Sequence, residues 1–162
     1  MSNKLEVLSP TTLKVMNASG FKTAFGDTPM LPRQNYFFMI KIVKGGFVKI
    51  GVAKKDDTPF DIAFCDKENG WALYNGELRN NSNCQGKPYA LELKGGSRAE
   101  EGDVVGVLVE RKEYGRIAFI KNGKYMGVAF EDPALKDDNL YAAIAPIYIN
   151  HIFQVVNPMP ED

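Results

Sequence analysis

The single histidine and the acidic side chains are the residues of this sequence that could carry catalysis. His151 is the only histidine and would serve as the base of a nucleophilic hydrolase. Glycoside hydrolysis would instead need two carboxylates about 5–10 Å apart, with Glu92, Glu100 and Glu131 as starting points. No G-x-S-x-G motif accompanies the histidine, and the acids stand alone or lie in turns. We therefore predict no catalytic residues and a non-enzymatic protein.

Metal and cofactor sites are not indicated by the remaining reactive residues. The chain has two cysteines, Cys65 and Cys84, which are far from His151 and form no zinc signature. Their spacing leaves a disulfide open, but the absence of a secretory signal disfavours it. The segment around Asp103 lacks the alternating oxygen ligands of a calcium loop. We predict no metal and no cofactor.

Composition and charge narrow the classes of partner. The chain has 162 residues, with 20 basic and 20 acidic side chains and a net charge of zero. Without a bulk positive field, we expect no nucleic-acid partner. Several lysines cluster along one predicted hairpin, and we interpret them as ordinary solvated surface charges. No run approaches the ~18 apolar residues of a membrane span, and no signal peptide is recognisable. We expect an intracellular protein, cytoplasmic by default with the nucleus left open, without membrane insertion and of unknown oligomeric state.

The elements that must position any site are strands. Arg116–Lys121 and Tyr125–Phe130 flank Asn122-Gly123, the strongest hairpin signal, so these two segments should pair antiparallel. Turn signals recur about every 8–12 residues and no segment carries helical periodicity, which is typical of an all-β sandwich of two antiparallel sheets. Tyr36–Val43 is apolar on both faces, so it is buried on both sides or lies at an oligomer surface.

Other segments give less regular expectations. Ile62–Cys65 and Leu140–Ile149 are predicted as strands, and Pro133 begins a possible helical turn. Leu78–Pro88 is the most polar stretch, and we expect it to stay out of the core.

Several motifs resemble a known family. The segments YFFMIKI (Tyr36–Ile42), GWALYNGELRNN (Gly70–Asn81), GDVVGVLVE (Gly102–Glu110), GRIAFIKNGKYMGVAF (Gly115–Phe130) and LYAAIAP (Leu140–Pro146) resemble SPRY domains in the same order. The resemblance covers about residues 12–157 and implies a concanavalin A-like sandwich. It also implies that Trp71 of the Gly-Trp segment packs in the core rather than stacking on a ligand. Motifs of the PRY half are missing, so we expect a stand-alone SPRY domain, with an amino-terminal extension at 1–11 and a tail at 158–162.

The resemblance also implies a site. Several SPRY domains bind peptides at one end of the sandwich through three regions, which correspond here to Pro29–Arg33, Leu78–Asn80 and Pro146–Tyr148. The implied peptide-binding residues are Pro29, Arg33, Leu78, Arg79, Asn80, Pro146, Ile147 and Tyr148. Guanidinium groups can hold carboxylates bidentately, and an exposed tyrosine supplies rigid contact area. The SOCS-box SPRY adaptors have a tyrosine near Arg79 and a Val-Trp-Gly near Ile147, so their peptide specificity is not carried over.

The predicted function is therefore that of a protein-interaction module. It would recognise a short linear segment of a partner protein and act as an adaptor or scaffold, in ubiquitin ligation or in a larger complex. The alternative hypothesis is a lectin-like sandwich that binds carbohydrate through Trp71 and the Asn-rich loop.

Overall fold

A computed structural model of the chain describes residues 5–9, 11–16, 21, 23–55, 62–81, 86–90 and 98–156. These residues form the strands β1 (Leu5–Ser9), β2 (Thr12–Val15), β3 (Ala24–Phe25), β4 (Tyr36–Lys44), β5 (Val48–Ala53), β6 (Gly70–Tyr74), β7 (Glu77–Arg79), β8 (Lys87–Pro88), β9 (Val104–Glu110), β10 (Arg116–Lys121), β11 (Lys124–Glu131), β12 (Tyr141–Pro146) and β13 (Ile152–Val156). A short helix, α1 (Ala134–Asp137), and a 3₁₀ turn, Phe64–Asp66, complete the described structure.

The strands form two antiparallel sheets, as the sequence predicts. One sheet has the order β1-β2-β13-β4-β9-β10-β11 and the other the order β3-β12-β5-β6-β7-β8. The β10–β11 hairpin turns at Asn122 and Gly123, whose φ angles of 51° and 82° suit a turn with left-handed central residues. β1 pairs with β2 although it falls in the segment predicted as an extension. The predicted tail, 158–162, lies outside the described residues.

The core lies between the two sheets. Alternate residues of β4, β5 and β9, such as Ile42, Val52 and Val107, are fully buried in it, as the two-residue period of a strand requires. Trp71 is 1% exposed and belongs to the same cluster, which confirms the core prediction. The opposite face of β4 is open, since Phe37 is 37% exposed. β4 is therefore not buried on both sides within this chain.

Two predicted strands differ from the structure. Within Ile62–Cys65, the chain turns instead into the 3₁₀ turn, and the Asp66 amide donates to Ala63 O at 3.0 Å. The turn lies tight against Gly70, where a Cβ atom would come within 1.9 Å of Phe64 O. β12 ends at Pro146, before the predicted end at Ile149, because proline has no amide to continue the ladder.

Candidate peptide-binding site

The outer face of the six-stranded sheet carries a second, smaller packed layer. Along β5, residues 48, 50 and 52 enter the main core, so residues 49, 51 and 53 face outward. The outward positions are small where Phe64 and Cys65 cover the sheet, with alanine at 53, 72, 143 and 145. The thiol of Cys65 is buried there as a free cysteine, and burial raises its pKa to about 12. Cys84 lies outside the described residues.

A buried lysine occupies the next outward position of β5. Lys49 is fully buried, and its Nζ lies 4.0 Å from the ring centroid of Phe21 and 5.5 Å from that of Tyr74. Its ion pair with Asp66 spans 3.3 Å, which compensates the charge in this half-buried setting. Because Lys49 is committed to these contacts, the lysines predicted along the β4–β5 hairpin do not act as one exposed basic surface.

Arg79 lies beside this lysine instead of standing free on the surface. Residues two apart on a strand share a face, so Glu77 and Arg79 of β7 both point outward, and their side chains pair at 2.8 Å. The guanidinium also lies 5.4 Å from the ring centroid of Tyr74. Arg79 is only 7% exposed, and its Nε and Nη1 have no hydrogen-bond partner among the described residues. Leu78 and Arg79, at the start of the stretch 78–88, are therefore packed, contrary to the sequence prediction, whereas 82–85 lie outside the described residues.

The other residues of that predicted region have structural roles. Asn80 donates from Nδ2 to Glu68 O at 2.9 Å and to Gly70 O at 2.8 Å, which fastens the end of β7 to the start of β6. Leu78 is half-buried and packs against the main core. Of this region, the structure brings Arg79 to the outward cluster.

Tyr148 follows β12 at the end of the sheet where Pro146 pairs with Val48. Tyr148 is 47% exposed. Its ring centroid lies 5.5 Å from that of Phe47, and the two rings pack edge to face. The pKa of Tyr74 is raised, first by burial and then by the nearby phenol of Tyr148. We name Phe21, Lys49, Tyr74, Arg79 and Tyr148 the aromatic–basic cluster. The cluster contains one residue from each of two predicted regions, Leu78–Asn80 and Pro146–Tyr148.

The third predicted region lies elsewhere. Met30 bridges to Leu140, and the Arg33 amide donates to Lys136 O at 3.4 Å, so this segment flanks the start of β12. Tyr148 follows the other end of that strand, on the order of 17 Å away for six residues. The side chain of Arg33 pairs with Asp137 at 2.8 Å. The expectation that all three regions meet at one end is therefore corrected: Pro29 and Arg33 lie at the opposite end from Ile147 and Tyr148.

Arg111, which the sequence analysis did not single out, holds this opposite end together. Its guanidinium is fully buried and donates to the carbonyl oxygens of Met30, Leu31, Leu135 and Asp138. Burial lowers its pKa. No local pattern distinguishes this arginine, because its acceptors lie 24 to 81 residues away in sequence.

Of the residues considered for catalysis, Glu92 lies outside the described residues, and Glu131 forms an ion pair with Arg116 at 3.5 Å. His151 Nδ1 lies 3.3 Å from Gly46 N and 3.0 Å from Gly46 O, and its ring contacts those of Tyr148 and Phe153. Glu101 accepts a hydrogen bond from the Gly45 amide. Among the residues described, no three His, Cys, Asp or Glu side chains are placed to hold a metal ion. None of the described helices is long and apolar enough to cross a membrane.

Two of the cavities that the described residues line bear on the candidate site. A groove of about 620 Å³ lies between the edges of the two sheets, beside β2, β3, β12 and β13. A smaller pocket of about 80 Å³ lies at the Tyr148 end, under the β4–β5 turn that contains Phe47. The smaller pocket adjoins the aromatic–basic cluster through the contact between Phe47 and Tyr148.

Known proteins share this architecture. The SPRY domain family model matches residues 35–156. The chain is similar to the crystal structure of the SPRY domain of human HERC1, with a TM-score of 0.74 and 19% identity over 97% of this chain and 94% of that one. It is equally similar to a crystal structure of a human SPRY domain, with a TM-score of 0.74 and 21% identity over 94% of each chain. No curated protein sequence matches. These structures confirm the predicted sandwich fold.

Proposed function

This chain belongs to the SPRY domain family of protein-interaction modules, and from that premise we propose that it binds a short segment of a partner protein at the Tyr148 end of its six-stranded sheet. The proposed site consists of the aromatic–basic cluster together with Phe47, Pro146 and Ile147. In the cell the domain would act without catalysis, as an intracellular adaptor or scaffold, with delivery of substrates to a ubiquitin ligase as one form of that role.

The observation that carries the proposal is the exposed aromatic pair at the end of a rigid sheet. Tyr148 and Phe47 are 47% and 39% exposed and hold each other edge to face. Rigid aromatic side chains supply large contact area at low entropic cost, which is why they are enriched among binding hot spots. Tyr148 lies two residues after β12 and Phe47 lies directly before β5, so the scaffold fixes their positions.

The charged members of the cluster support the aromatic ones. Lys49 and Arg79 both lie against Tyr74, and each has one carboxylate partner, Asp66 or Glu77. Arg79 is mostly buried, so we propose that it orients Tyr74. Its unpaired N–H groups would donate to a bound peptide segment that displaces the protein atoms covering them. A peptide carbonyl or carboxylate oxygen is the acceptor to which such N–H groups would donate.

The lectin hypothesis is not favoured. A sugar-stacking role would need an accessible indole, whereas Trp71 is 1% exposed in the main core. The family assignment points to protein partners instead.

Affinity capture from cell lysate tests the proposal, with three forms of the domain compared by quantitative mass spectrometry. The wild type and Arg33→Ala should enrich the same proteins, because Arg33 lies at the opposite end of β12. Tyr148→Ala should lose them, by about tenfold or more in recovery. Equal recovery by Tyr148→Ala and wild type would refute the proposed site, and loss with Arg33→Ala alone would move it to the other end.

A further inference from the structure

The small pocket at the Tyr148 end has an apolar floor and a polar mouth. Its floor is formed by core residues that are at most 6% exposed, namely Ile42, Val48, Ile50, Leu73 and Val105. Its mouth is formed by the β4–β5 turn on one side and by Asn75, Arg98, Ala99 and Glu100 on the other. The volume of about 80 Å³ is several times the ~15 Å³ that one water-sized sphere requires. We name it the end pocket.

The floor of the end pocket favours an apolar occupant. Water at the floor would find few polar partners, since the floor consists of aliphatic side chains, whereas the polar groups lie at the mouth. The lining atoms also lack dispersion contacts on the open side, which an aliphatic group would restore. An aliphatic side chain inserted from outside is therefore the occupant that fits the floor.

The backbone at the mouth is held in an unusual conformation. Phe47 has a φ of 51°, in the left-handed region that bulky residues rarely adopt. Glycine or asparagine would avoid this cost, yet an aromatic ring stands there, 39% exposed and in contact with Tyr148. Strain of this kind persists only where the surrounding structure maintains it, and strained residues cluster at ligand-binding positions.

A cation at the mouth has no carboxylate partner within the described part of the chain. The guanidinium of Arg98 lies 5.7 Å from the ring centroid of Phe47, and Arg98 is exposed. The neighbouring Glu101 is engaged instead by the Gly45 amide at 2.8 Å. Arg98 therefore presents donors beside the pocket, suited to a carboxylate or carbonyl oxygen.

We propose that the end pocket receives an aliphatic side chain of the partner segment, such as leucine or methionine, while Arg98 binds an oxygen acceptor next to that side chain. The inference rests on the proposed function and specifies the chemistry of the segment. The segment would run from Tyr148 over Phe47 to Arg98, since Phe47 contacts both residues.

Selection of peptides displayed on phage tests this inference with a defined probe. A library of random peptides is selected on the wild-type domain, and the enriched peptides are synthesised and their affinities measured. We expect them to share an aliphatic residue beside an acceptor side chain or carbonyl. Replacing that aliphatic residue with alanine should weaken binding at least about tenfold.

Two variants of the domain test whether the aliphatic side chain of the peptide binds in the end pocket. Gly46→Leu places a side chain at the pocket mouth, where a Cβ would meet nothing nearer than Ala99 O at 3.9 Å. Ala99→Leu, on the other side of the mouth, is the second variant in case the first unfolds. Both should lose about tenfold or more in affinity, Arg98→Ala should lose several-fold, and Arg33→Ala should bind like the wild type. Circular dichroism and thermal unfolding verify that each variant is folded.

The outcomes separate the two proposals. Peptides that lose binding with Tyr148→Ala but bind both pocket-filling variants like the wild type would overturn the end-pocket inference and leave the proposed site standing. Peptides unaffected by Tyr148→Ala, or a library that yields no enriched peptide, would overturn both. Loss of binding to a pocket-filling variant together with Tyr148→Ala supports both.

Discussion

Arg111 should be the most important buried charge for the stability of this domain. Its Nε donates to Leu135 O at 2.6 Å, and its Nη1 donates to Met30 O at 2.6 Å and Leu31 O at 2.7 Å. Its Nη2 donates to Asp138 O. One guanidinium therefore joins the segment before β4 to α1 and the residue after it. Replacement by methionine, Arg111→Met, keeps the volume of the side chain and removes every donor.

The magnitude follows from the acceptors left behind. Met30 O keeps a second donor, the Leu140 amide at 3.2 Å, so it stays paired. The other three carbonyl groups lose the donor that Arg111 supplied, at about 1 kcal/mol each. Methionine spares the cost of burying a charge, but it cannot replace hydrogen bonds. We expect Arg111→Met to lower the free energy of unfolding by about 3 kcal/mol.

Urea unfolding followed by tryptophan fluorescence measures this change, since Trp71 lies in the core. With a slope of about 2 kcal/mol per molar urea, the midpoint should fall by about 1.5 M. Arg33→Met is the matched control: its side chain is 64% exposed and its ion pair with Asp137 should contribute less than about 1 kcal/mol. A midpoint for Arg111→Met equal to that of the control would refute this assignment of the hydrogen bonds.

Three further changes have defined outcomes. Gly70→Ala should lower the free energy of unfolding by about 2 kcal/mol or more, because its Cβ would come within 1.9 Å of Phe64 O, whereas Gly46→Ala should be nearly neutral in urea unfolding. Burial raises the pKa of Cys65 from 9.0 to about 12, so the unfolded chain loses that proton first and stability should fall as pH rises above about 9, by at most ~1.4 kcal/mol per pH unit. The free energy of unfolding, measured at about pH 8 and pH 10, should change less for Cys65→Ala than for the wild type. An equal change in both proteins would contradict the assignment of the pH dependence to Cys65. Phe47→Gly should relieve the positive φ and leave the unfolding midpoint unchanged or higher while weakening partner binding; a large loss of stability would mean that the ring is needed for folding.

The sequence predicts the local elements of this fold well, because their signals are local. The Asn122-Gly123 turn and the aromatic and β-branched strand at Tyr36–Val43 each depend on a few neighbouring residues, and both agree with the structure. The burial of Trp71 was predicted from the resemblance of its Gly-Trp segment to the family, and it agrees with the structure. The turn at Phe64 was missed because it depends on the close approach of Gly70, which strand propensity does not encode.

The site was less predictable because it depends on which strand ends meet. Arg33 and Tyr148 belong to loops that sequence patterns cannot assign to one end, and only the register of β12 separates them. Arg79 reads as a surface cation in a polar stretch, yet its neighbours Glu77 and Tyr74 come from paired strands that enclose it. Phe47 gives no sequence signal at all, since its significance lies in a backbone angle.

Hydrogen exchange of the domain with a captured or selected partner segment tests the central claim most directly. Binding at the Tyr148 end predicts slower exchange of amides at 45–48, 73–79 and 147–151, with little change at 30–35 near Arg33. Protection confined to the Arg33 end, or to the groove between the sheet edges, would contradict the account.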